Sequence, residues 1–197
     1  MKRRNDKLHS SKIDISTLDL RLAKRILELL IQRHSELQAE ISELAVYALE
    51  NPDEFCIAAE IEEVLDALNE GAIHSRAGLA LSGYTGPEEA AAEALTEALA
   101  PYFDRLEQEL KDGKDIAALA VCKAIVLAMY RFSKNEDHPL LELYEDYPIE
   151  TADWAVQLWR TGGDTKKASS SKPKLTRQFP AAFAKTHTPD WEWLTDD

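Results

Sequence analysis

Over residues 17–49 (TLDLRLAKRILELLIQRHSELQAEISELAVYAL) apolar side chains return every three and four residues, and nothing else in the chain constrains its fold as strongly. Leu20, Leu27, His34, Ile41 and Ala48 share one position of a seven-residue cycle, with Ala23, Leu30, Leu37 and Leu44 on the other. Eight of these nine are apolar, which is the seam of a long helix and not the alternation of a strand. The spacing predicts one helix here, capped by Ser16 or Thr17. Asn51-Pro52 stops it and starts a second, because asparagine caps and proline suits the first helical position. That second helix runs to about Asn69 with Ile57, Ile61, Leu65 and Leu68 on one stripe, and Gly71 ends it. Together the two predict a long N-terminal helical hairpin.

The punctuation continues downstream. Residues 71–86 hold four of the seven glycines and read as a loop. Gly86-Pro87-Glu88-Glu89 then restarts a helix with a cap, a first-turn proline and first-turn acids. Pro101 must kink that helix or begin another, and Gly113 ends it. Residues 115–133 are apolar around most of the helix circumference and predict the central buried element. His138-Pro139 begins a short helix, Pro148 stops it, and 150–160 make the last one, closed by Gly162-Gly163. No stretch alternates with period two. The expected fold is all-α, about seven helices stacked in pairs as one domain over residues 13–160.

Charge sorts the chain differently. The 197 residues carry 23 bases and 36 acids, a net of -13. Residues 1–12 are basic (+4), 13–160 acidic (-18), 161–185 basic (+5) and 186–197 acidic (-4). An acidic body repels phosphate and anionic lipid, which argues against nucleic acid or a membrane surface as its partner. No apolar run approaches the ~20 residues of a membrane span. The basic N-terminus, MKRRNDKLHSSK, is followed by no apolar segment suited to secretion. Cys56 and Cys122 read as small buried hydrophobes in a reducing compartment, so a cytoplasmic location is expected.

From residue 161, TGGDTKKASSSKPKLTRQ reads as a flexible basic linker. It leads to an acidic tip in which Trp191, Trp193 and Leu194 form the candidate partner-binding motif. Docking of these rings on the chain's own domain is the alternative. His34, in the seam, reads as a hydrogen-bonded interface histidine or a pH-sensitive joint. His74-Ser75-Arg76 lacks the nucleophile-elbow context of a catalytic cluster, and the glycine-rich loop lacks the phosphate-cradle pattern, so no catalytic residue is assigned. Tyr144, Tyr147, Trp154 and Trp159 read as core closure or as an aromatic wall for a ligand.

Two stretches resemble known families. RHSELQAEISELA, GYTGPEEAAAEALTEALAPYFDRLEQELKDGKDIAALAVCKAIVLAMYRF and YEDYPIETADWAVQLW together resemble a helical-repeat region of uncharacterised bacterial proteins, some of them beside SWIM-type zinc fingers. The SWIM zinc ligands are absent here. The resemblance implies helix pairs stacked like TPR or HEAT units, usually as an interaction surface. Separately, Glu40-x-x-Glu43 and Glu63-x-x-Asp66 are similar to the ExxE…ExxD signature of MazG-type nucleotide pyrophosphohydrolases. That similarity implies four carboxylates holding Mg²⁺, with Arg76 and His74 nearest to phosphate. A solvated acidic face accounts for the same spacing, since eleven acids and no base lie from Glu36 to Glu70. The main expectation is a protein–protein adaptor or regulatory subunit that needs no cofactor. A Mg²⁺-dependent pyrophosphohydrolase is the alternative, and an acidic nucleic-acid mimic that blocks a basic partner is a second one.

Overall fold

The computed structural model describes residues 20–68, 71, 77–80, 83–135, 138–164 and 177–195. The chain is all-α, with eight α-helices among the described residues. Its contacts divide it into two compact units, one up to Tyr47 and the other from Ala48. Among the described residues the buried core lies in the second unit.

In the first unit the expected long helix is two helices, α1 (Leu20–Arg33) and α2 (Gln38–Glu50). His34 leaves helical backbone at φ -135°, ψ 71°, and a single 3-10 turn covers Ser35–Leu37. Its amide still closes α1 on the Leu30 carbonyl (2.8 Å), and its carbonyl accepts from the Leu37 amide (3.0 Å). The reason is local. His and Ser are weak helix formers, the His34 ring turns back to Glu36 (Nδ1 to Oε1, 3.1 Å), and His34, Ser35 and Glu36 are all exposed. Without burial across the seam, regular spacing alone does not hold the helix together.

The second unit opens with α3 (Glu54–Asp66). Asp53, not Asn51, caps it, accepting from the amides of Phe55 (2.8 Å) and Cys56 (3.3 Å). The glycine-rich stretch is not wholly loop: β1 (Gly78–Ala80) pairs antiparallel with β2 (Gly83–Thr85), Leu79 opposite Tyr84. Helix α4 (Pro87–Lys111) passes unbroken through Pro101, whose ring is exposed, while Leu95, Leu99, Leu106 and Leu110 are buried on both sides of it. Gly113 then turns the chain in left-handed backbone (φ 71°).

Helix α5 (Asp115–Phe132) is the centre, with twelve of its eighteen residues buried, and α3, α4 and α7 (Tyr147–Thr161) all pack on it. Between α5 and α7 lies the short helix α6 (Pro139–Leu143), capped by the His138 ring. Pro148 sits in the first turn of α7 and starts that helix. Cys122 is buried on α5 with its thiol directed at the Ala155 carbonyl (3.5 Å), and burial pushes that thiol far up. Cys56 is exposed, a departure from the expected pair of buried hydrophobes. It stands in the open first turn of α3, where the stripe of buried residues has not yet begun. Nor is α7 the last helix, because α8 (Ala181–His187) and a 3-10 turn (Glu192–Thr195) follow it.

Candidate interaction surface

The acidic tip does not hang free. Trp191 is 6% exposed and Leu194 fully buried, and both belong to the core of the second unit along with Phe179 and Phe183. Trp191 meets Tyr130 of α5 edge to face (centroids 5.3 Å apart), and Trp193 is half-buried beside it (5.8 Å). Polar contacts fix the register. The Lys134 ammonium (2.6 Å) and the Tyr130 hydroxyl (3.0 Å) both donate to Asp190, and they hold its carboxyl below the usual carboxylate range. Buried Arg160 donates to the Leu194 carbonyl (3.0 Å).

A second anchor lies where the tail re-enters the described structure. Arg177 donates to Asp115 (2.6 Å) and stacks over the Trp159 ring (4.8 Å to its centroid). Its guanidinium passes so near Gly162 that a Cβ there would meet Nη1 at 2.7 Å, and Gly162 also needs its positive φ of 68°. Further on, Lys123 of α5 covers the Phe183 ring (5.1 Å) while pairing with Glu54 (3.2 Å). Residues 177–195 are thus a strap of the second unit. The tip of Trp191, Trp193 and Leu194, the expected partner-binding motif, is thus packed on its own unit, as the docking alternative has it: an apolar core that these side chains complete holds them more favourably than water does. Most of the basic linker, 165–176, lies outside the described residues.

Sequence reasoning missed Tyr130, Lys134, Arg160 and Arg177, the groups that hold the strap. The signal was there in part. Lys123, Tyr130 and Lys134 interrupt or follow an otherwise apolar helix, and polar groups on a buried element need partners.

The four carboxylates similar to the pyrophosphohydrolase signature fall in different units, Glu40 and Glu43 on α2 and Glu63 and Asp66 on the exposed side of α3. Among the described residues, no three His, Cys, Asp or Glu side chains come together as a metal site. Two other acids of α3 are paired with bases of α5, Glu62 with Arg131 (2.7 Å) and Glu54 with Lys123. Arg76 and His74 lie outside the described residues. The aromatic set divides: Trp159 stacks under Arg177, whereas Tyr144, Tyr147 and Trp154 line one cavity.

Exposed apolar surface gathers instead on the N-terminal helices. On α1, Ile26, Leu27 and Leu30 recur at helical spacing and are all exposed, as are Leu44 (59%) and Val46 on α2. The polar side of α1 is basic, with Arg21, Lys24 and Arg25 against the single acid Glu28. Among the described residues no helix is long and apolar enough to cross a membrane. No family model matches the chain, and neither a curated protein nor a solved structure matches it.

Proposed function

We propose that this chain is a protein–protein interaction module, an adaptor or regulatory subunit, and that its partner-facing element is the N-terminal pair of helices and not the C-terminal tip. The observation that carries this is the exposed apolar side of α1 next to a row of bases. Apolar side chains gathered on one face of an exposed helix, as Ile26, Leu27 and Leu30 are at i, i+1 and i+4, are the anchors of helix-in-groove recognition. The charge beside them selects a partner whose apolar groove is rimmed by acids. An anionic lipid surface is disfavoured, because residues 48–197 carry twenty-nine acids against fourteen bases and are repelled by it.

The test uses the full chain and the double substitution Leu27→Glu with Leu30→Glu. A partner recovered with the wild-type chain is purified and titrated against both proteins by calorimetry. The expected result is at least a tenfold loss of affinity, about 1.4 kcal/mol or more, with urea unfolding of the second unit unchanged. Equal affinity for the two chains would exclude this face, and binding to anionic vesicles in place of any protein would assign the helix to lipid.

A further inference from the structure

The cavity of about 450 Å³ between α4 and α7 has a wall chemistry that the interaction reading does not use. Four aromatic rings line it, Phe103 from α4, Tyr144 from the turn before α7, and Tyr147 and Trp154 from α7. The charged residues among the described lining are both acids, Asp104 and Glu150. Two of its rings are held in place. Tyr144 and Tyr147 meet edge to face at 5.5 Å, and the Tyr144 hydroxyl donates to Glu150 at 2.5 Å. The Tyr147 hydroxyl is engaged by Thr96 and Thr151. Trp154, by contrast, is 37% exposed and stands at an open mouth.

From this wall we infer a binding site for an organic cation, specifically a quaternary ammonium group. Ring faces carry negative electrostatic potential and attract a cation placed over them, more strongly when it is desolvated. A small hard ion keeps its water and gains little from such faces. Methylated ammonium spreads its charge over apolar methyl groups, so it sheds water cheaply, fills an apolar wall and is balanced by the two carboxylates. The same carboxylates repel an anion. The site consists of second-unit residues alone, so it stands or falls independently of the N-terminal helices.

Calorimetric titration of the full chain with choline, with its neutral isostere 3,3-dimethylbutan-1-ol and with a peptide bearing trimethyl-lysine tests it. The expected result is a quaternary probe bound with Kd of about 1 mM or tighter and the neutral isostere bound at least tenfold more weakly. Trp154→Ala lowers affinity at least tenfold, with Trp154→Leu as the milder variant and the urea midpoint of each measured alongside, and Glu150→Gln lowers it several-fold. Tighter binding of choline assigns the group to a free small molecule, and tighter binding of the peptide to a modified side chain. Equal binding of choline and its isostere, or no binding of either quaternary probe, overturns the assignment.

Discussion

Trp191 and Trp193 are two positions apart and have different fates. Trp191 lies in the core against Tyr130, so Trp191→Ala removes a large buried side chain and should cost about 3–5 kcal/mol in urea unfolding. Trp193 is half-buried, and among the described residues its indole N–H has no hydrogen-bond partner. Trp193→Phe should therefore cost under about 1.5 kcal/mol. Equal losses at the two positions would mean that the rings act as one unit. What was legible here was the need for cover, since two tryptophans amid acids are costly to leave in water. What covers them was not legible, because the partners Tyr130 and Lys134 lie some sixty residues away in the chain and no local pattern links them.

At the scale of elements, helix starts and stops written in local chemistry came through. Gly86-Pro87 opens α4, and Gly113 and Gly162 end helices in left-handed backbone. Two breaks went the other way. The seven-residue repeat predicts continuity at His34, where exposed weak helix formers interrupt it. Pro101 predicts a kink or a new start, and no new helix starts there: burial of Leu95, Leu99, Leu106 and Leu110 keeps α4 continuous. In each case burial decided, and burial is not written in spacing. Because α4 tolerates the proline at a cost, Pro101→Ala should stabilise the chain by about 1–3 kcal/mol. Its thermal midpoint should rise. A fall would show that the proline shapes the packing of α4 instead of merely being carried by it.

Across the whole molecule, charge and core divide the chain at different places. The charge sums separate an acidic body from a basic linker at about residue 160, yet core packing continues through the strap. All-α architecture and the central helix were legible from apolar periodicity. The composition shift after 161 hid the strap, because a basic, serine-rich segment precedes the apolar residues that return to the core. Phe179, Phe183, Trp191 and Leu194 are all buried, and at about 1.5–3 kcal/mol each they contribute on the order of 6–12 kcal/mol. That rivals the total stability of an ordinary domain, about 5–15 kcal/mol. Urea unfolding of the chain lacking 177–197 tests this most directly. The cooperative transition should be lost or its midpoint should fall steeply, because the core of the second unit is left open. A midpoint equal to that of the full chain would contradict it and return the tip to the role of a free partner-binding motif.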